Sequence, residues 1–211
     1  MDSQGSLTVF MGFETHELSQ TVYDALVEEQ PMPIIHNIYG MDLVPANRDL
    51  SGAERMLGDA IMKELRLKHA LEPLRQKYDF ILIDCPPSLG FASIVSLIAA
   101  THVLVPIETA FKARKGTEEL INTIQQVWKY GNSELLFAGV IPTMYSATKK
   151  QDRRSLEAIE QSFEQVTIFP AIPEATDVEN ASEARVPVEL YNSKNAAVLP
   201  FRQIAKQLSN W

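Results

Sequence analysis

The sequence predicts an α/β fold: a mostly parallel β-sheet flanked by helices, within a single domain over residues 1–211. Three observations carry that expectation. Phe80, Ile81, Leu82 and Ile83 form a continuous apolar run that stops abruptly at Asp84, the pattern of a strand buried on both faces. Cys85, Pro86, Pro87 and Ser88 then break the run, and a helical pattern opens after Gly90. Elsewhere short apolar runs alternate with helical patterns, as right-handed strand–helix–strand crossovers require. A carboxylate at the carboxyl end of a buried strand sits where open α/β sheets bind ligands. With a nucleotide there, Asp84 could hold Mg²⁺ through a water. Taken alone, an Asp in this place more often just starts a turn.

In chain order, Thr15 is positioned to cap a helix from 16 to about 29, with Leu18, Val22 and Leu26 on its apolar face and Pro31 and Pro33 ending it. Residues 34–38 and 41–44 read as two short strands joined through Gly40. Asp49 or Ser51 caps a helical stretch carrying Ala53, Met56, Leu57 and Ile61, and Leu65, Leu67, Leu71 and Leu74 continue the helical spacing to Tyr78. Residues 91–100 read as a nearly all-apolar, buried helix, and 103–107 as the next strand. Thr117 caps a helix to about Tyr130, followed by a strand over 135–141, a helix to about Phe163, a last strand over 167–169 and a final helix over 196–208.

Length, charge and cysteine content narrow the function classes. The 211 residues suffice for one substantial domain. A net charge of −8 argues against a wholly basic nucleic-acid surface, though not against a local patch. Two basic clusters stand out, Lys112, Arg114 and Lys115 after one strand and Lys149, Lys150, Arg153 and Arg154 at the start of a helix. Positive charge at a helix N-terminus opposes the macrodipole. Phosphate contact would give the second cluster a use, and a solvated face is the equally weighted alternative. The lone Cys85 excludes an internal disulfide and fits a cytoplasmic protein; with no nearby His in the sequence it reads as packing rather than as a nucleophile. No apolar run reaches membrane-spanning length.

The string YDFILIDCPPSLG at 78–90 closely resembles the Walker-B segment of the ParA/Soj family of deviant-Walker partitioning ATPases, within the wider group that includes MinD. DSQGSLTVFMG at 2–12 is similar to the family's DPQGxLT segment, with Ser3 in place of the usual Pro, and PANRDLSGAE at 45–54 and GVIPTMYSAT at 139–148 also resemble family segments. The resemblance covers nearly the whole sequence. It implies a P-loop NTPase fold of deviant-Walker type and ATP with Mg²⁺ as cofactors. Asp84 would be the metal-associated carboxylate, Asp2 would act near the γ-phosphate and its attacking water, and Thr143 and Pro173 would lie near the nucleotide. It also implies a dimer, a ParB-like stimulating partner and nonspecific DNA, with the two basic clusters as DNA or partner contacts and a nucleoid-associated place in the cytoplasm. One departure weakens DNA binding in the usual manner: two arginines of the family's IPRNVRLSEAPSHGKPI become Glu174 and Asp177.

The family begins with a strand, a KGGxGKT phosphate loop, a helix and a second strand ahead of the DPQG segment. No GxxxxGK[ST] occurs in these 211 residues. The expectation is therefore an N-terminally incomplete ATPase domain with impaired catalysis and doubtful ATP binding. The alternative is a non-catalytic relative that binds an intact ATPase subunit or another protein. A Walker-B strand without its usual neighbour would leave Ile81 and Ile83 short of a ladder partner, and the expected consequence is marginal stability or self-association.

Overall fold

A computed structural model describes residues 1–109 and 113–210, with the backbone alone for 113–118. The chain groups into two compact units, one of residues 1–101 with 123–135, the other of 102–122 with 136–211. The fold is α/β, with a parallel strand pair and helices.

The first unit opens with α1 (Ser6–Phe10) and α2 (Val22–Val27). The helix expected from residue 16 starts six residues later, because Thr21 and not Thr15 caps it. Asp24 Oδ2 accepts from the Thr21 N–H at 2.7 Å while Thr21 Oγ1 accepts from the Tyr23 N–H at 3.3 Å, a reciprocal cap. The β1 strand (Ile35–Ile38) pairs antiparallel with β2 (Met41–Leu43) through a turn in which Tyr39 and Gly40 both take positive φ, 51° and 81°. That backbone suits a tight hairpin and needs glycine or another tolerant residue.

Asn47, rather than Asp49 or Ser51, caps the next turn: its side-chain oxygen accepts from the Asp49 N–H at 3.1 Å. A 3₁₀ turn over Arg48–Gly52 runs into α3 (Ala53–Leu57), which Gly58 ends, so Ile61 lies outside it and is 89% exposed. The leucine spacing survives in shorter pieces. A 3₁₀ turn, α4 (Arg66–Leu71) and a second 3₁₀ turn place Leu67, Leu71 and Leu74 in one core with Leu26, Leu50, Ala53 and Val95. Val95 comes from α5 (Phe91–Ala99), buried as its composition predicts. Asn132 closes that helix by donating its Nδ2 to the carbonyls of Leu97 and Ala100 at 3.0 and 2.7 Å.

The largest departure from expectation lies at 80–83. Residues 80–86 form neither strand, helix nor turn. A strand exists only against a ladder partner, and among the described residues the main chain of 79–87 finds no main-chain hydrogen bond. Phe80 and Leu82 are 54% and 83% exposed, while Tyr78 and Ile83 pack on the core.

In the second unit β3 (His102–Glu108) pairs in parallel with β4 (Leu136–Thr143). The register slips between Val103 and Leu104, where Gly139 takes a φ of 151°. The expected strand at 167–169 is reduced to a single parallel bridge at Ile168, held by Val140 N–H to Thr167 O at 2.9 Å and Phe169 N–H to Val140 O at 2.8 Å. Between these strands in sequence comes α6 (Ala113–Tyr130), whose residues from 123 on belong to the first unit; Thr117 falls inside this helix rather than at its cap. The second unit is completed by α7 (Lys150–Ser162), α8 (Thr176–Glu183), α9 (Val188–Tyr191) and α10 (Val198–Leu208). Ile204 of α10 joins Ile141 and Phe169 in a small core, with Leu208 packed beside them, whereas Phe201 is 41% exposed. No helix among the described residues is long and apolar enough to cross a membrane.

Candidate functional site

In the first unit, the DSQGSLT segment folds back on its own aspartate. Asp2 Oδ1 accepts from the Gln4 N–H at 3.0 Å and Oδ2 from the Ser6 hydroxyl at 3.4 Å, which leads the chain into α1. Asp84 follows the unpaired apolar run and is exposed. Both carboxylates act on the Met1 amino group, and so does Cys85. Burial pulls that amine below its usual range, while Cys85, Asp84 and Asp2 push it up. Asp2 and Asp84, far apart in sequence, therefore share one neighbourhood.

Two carboxylates offer hard oxygen donors of the kind Mg²⁺ accepts, and Mg²⁺ usually takes one or two from protein and the rest from water and phosphate. Among the described residues no group of three or more His, Cys, Asp or Glu is placed to hold a metal by itself. The pair suits a magnesium ion carried with a phosphate. Among the described residues, no lysine or arginine is among the groups that shift the Met1 amine, so two carboxylates facing a triphosphate would need cations from elsewhere. Beside Asp84, desolvation raises the Cys85 thiol above its ordinary range. Its sulfur lies 3.6 Å from the Ile83 carbonyl, and a hydrogen bond with the Ser96 side chain works against the desolvation. A raised thiol pKa leaves little thiolate at neutral pH, which disfavours nucleophilic chemistry, but Cys85 is exposed and not packed in the core as the sequence reading expected.

One constellation here escaped the sequence reading. Asp42 accepts from the Tyr78 hydroxyl at 2.6 Å and from the Asn37 N–H at 3.0 Å, with His36 Nδ1 2.8 Å away. These bonds, the Tyr78 bond foremost, hold the Asp42 carboxyl down at about 2. They tie the β1–β2 hairpin to the residue that leads into the apolar run. No spacing rule links positions 36, 42 and 78, so only the fold reveals them.

In the second unit Thr143 ends β4, and Pro173 pairs with the chain two residues further on. The Thr143 carbonyl accepts from the Thr109 N–H at 3.0 Å, and Tyr145, two residues on, bridges in parallel to Pro173. The two basic clusters fare differently. Lys112 lies outside the described residues, and Arg114 and Lys115 are placed by backbone only, in the first turn of α6. Lys150, Arg153 and Arg154 stand exposed at the start of α7. Lys149 does not stand free, because its Nζ donates to Glu174 at 2.6 Å. Buried Asp152 accepts from the Ser146 N–H at 2.9 Å and adds negative charge to the same helix end. The charge that opposes the macrodipole is thus partly offset from within. Asp177, the other acidic replacement, accepts from Asn192 and Asn195 at 2.7 and 3.0 Å and sits below its usual pKa for that reason.

Comparison with known proteins agrees with this architecture. A family model described as an AAA domain matches residues 1–137. The sporulation initiation inhibitor protein Soj of Bacillus subtilis is 33% identical over 212 residues, spanning 99% of this chain and 84% of Soj. The chromosome partitioning protein ParA of Myxococcus xanthus is 30% identical over 99% of this chain and 75% of its own length. A crystal structure of cobyrinic acid a,c-diamide synthase from Mycobacterium smegmatis with bound ATP analogue and magnesium superposes with a TM-score of 0.87. It is 30% identical and covers all of this chain and 80% of that one. The chain belongs to the ParA/Soj family of partitioning and positioning ATPases, within the P-loop NTPase fold.

Proposed function

We propose that this chain carries the Walker-B part of a ParA-type partitioning ATPase, acting in the segregation of plasmid or chromosomal DNA or the positioning of other cargo. The observation that supports it most is the match to Soj over 99% of the chain, with the YDFILIDCPPSLG string inside it. Asp84 would hold Mg²⁺ through water, and Asp2 would lie on the side of the transferred phosphoryl group. When bound, ATP with Mg²⁺ supplies the reacting phosphoryl group and its counter-charge. Thr143 and Pro173 are proposed as nucleotide contacts on the resemblance alone.

Phosphoryl transfer needs positioning and positive charge more than covalent help. These 211 residues contain no GxxxxGK[ST] to provide either. By themselves they should bind ATP·Mg²⁺ poorly and hydrolyse it hardly at all. Contact with DNA or with a ParB-like partner is assigned to Lys150, Arg153 and Arg154, with Lys112, Arg114 and Lys115 as the second group. Affinity for DNA is reduced by Glu174, which occupies Lys149.

Calorimetric titration of the 211-residue chain with ATP and Mg²⁺ tests the nucleotide assignment. No saturable heat in the micromolar range is expected. Micromolar binding abolished by Asp84→Ala would show that the remaining residues build a complete site, and the account of impaired binding would fall.

A further inference from the structure

We infer that the outer face of α7 is a self-association surface, on which two copies of this chain pair antiparallel, the basic half of each helix against the acidic half of the other. The inner side of α7 carries buried Asp152 and Ile159 and half-buried Leu156. Lys150, Arg153, Glu157 and Glu160, spaced by three, four and three residues, fall on one stripe along the opposite side, and all four are exposed. None of the four has an ion-pair partner among the described residues. The stripe also opposes the helix macrodipole at both ends, with Lys150 and Arg153 in the first turn and Glu160 in the last. Asp152 offsets the first end alone. Such a charge order is unfavourable within one chain and is satisfied by charges from another.

Charge selects the occupant. Duplex DNA, or any other anionic body, would gain from Lys150 and Arg153 but meet Glu157 and Glu160 further along the same stripe. A cationic partner would face the reverse conflict. Only a stripe that changes sign along its length satisfies both halves, and a second copy supplies one by construction. Parallel alignment would set like charge on like. Antiparallel alignment about a twofold axis near Ser155 sets Lys150 against Glu160 and Arg153 against Glu157, each twice over. Exposed pairs of this kind are individually weak, so the contact is weak and sensitive to salt. It uses none of the residues assigned to nucleotide and forms without ATP. It occupies cations that DNA would otherwise contact, so the two uses exclude each other.

Sedimentation of the full chain without nucleotide, at about 100 µM protein and about 50 mM salt, before and after nuclease treatment, tests the inference. A monomer–dimer equilibrium that nuclease leaves unchanged is expected, weakened about tenfold or more at about 300 mM salt. Two doubly reversed forms carry the decisive comparison, Lys150→Glu with Arg153→Glu, and Glu157→Lys with Glu160→Lys. Each alone should lose the dimer, because its stripe then bears one sign, and an equimolar mixture of the two should regain it. That recovery also shows that both forms are folded. A strictly monomeric chain would overturn the inference, as would a dimer that both reversed forms keep, which belongs to another surface. Loss of the dimer in each form without recovery on mixing overturns it too. An association abolished by nuclease does the same, by giving the cations to nucleic acid.

Discussion

Asp42 shows how much a single carboxylate can organise. Three partners from the hairpin and from Tyr78 converge on it, and its carboxyl is held at about 2 against an ordinary 3.8. A depressed carboxylate contributes stability that is fully present above its unfolded pKa and is lost as pH falls through the folded one. The urea midpoint of the chain should therefore fall more steeply between about pH 4 and pH 2 than that of Asp42→Asn. At neutral pH the variant should be the less stable of the two. Parallel curves would mean that the Tyr78 and His36 contacts contribute nothing in solution. The residue scale is also where sequence reading was weakest. Asp42, Asn47 and Thr21 each do their work through partners decided by the fold or by competition between neighbouring caps. Thr15 and Thr21 both satisfy the rule for a cap, and only the reciprocal bond with Asp24 settles which one is used.

At the scale of elements, the structure keeps most of what periodicity implied. The hairpin, α5, the β3–β4 pair and α7 stand close to where the apolar patterns placed them. Failures cluster where an element depends on something other than its own sequence. The run Phe80–Ile83 has every local property of a strand, yet without a ladder it is not one. At 167–169 one bridge replaces a strand: after the register slip in β4, Val140 bonds to Thr167 and Phe169, and the next bond runs from the Ile172 N–H to the Pro142 carbonyl. Gly139 is the residue that permits that slip. A Cβ there would stand 2.5 Å from the Thr167 carbonyl oxygen and 2.6 Å from the Phe169 ring, at a φ of 151° that L-residues avoid. Gly139→Ala should accordingly cost about 1–3 kcal/mol or more, read as a lowered thermal midpoint. An unchanged midpoint would show that the strands can move apart at no expense.

For the whole molecule the decisive quantity is charge. A chain at −8 meets DNA as a like-charged body, so binding must come from a local patch strong enough to outweigh the rest. Family membership was legible from four strings of sequence, and so was the acidic exchange at 174 and 177. The consequence of that exchange was not, because it depends on what each acid touches. Glu174 neutralises Lys149 on the surface, whereas Asp177 gathers Asn192 and Asn195 and so holds α8 to the loop after α9. The two positions should respond differently to arginine. Glu174→Arg frees Lys149 and adds a cation beside Lys150, Arg153 and Arg154, so it should tighten binding to nonspecific duplex DNA. The salt dependence should steepen with it, by the equivalent of about one to two extra phosphate contacts. Asp177→Arg removes the acceptor of two amides and should lower the thermal midpoint before any gain in DNA binding can register. Anisotropy titrations of a labelled duplex at several salt concentrations, paired with thermal melts, separate the two effects. An unchanged salt slope for Glu174→Arg would remove the start of α7 from the DNA-contacting surface and leave those cations to solvent or to a protein partner.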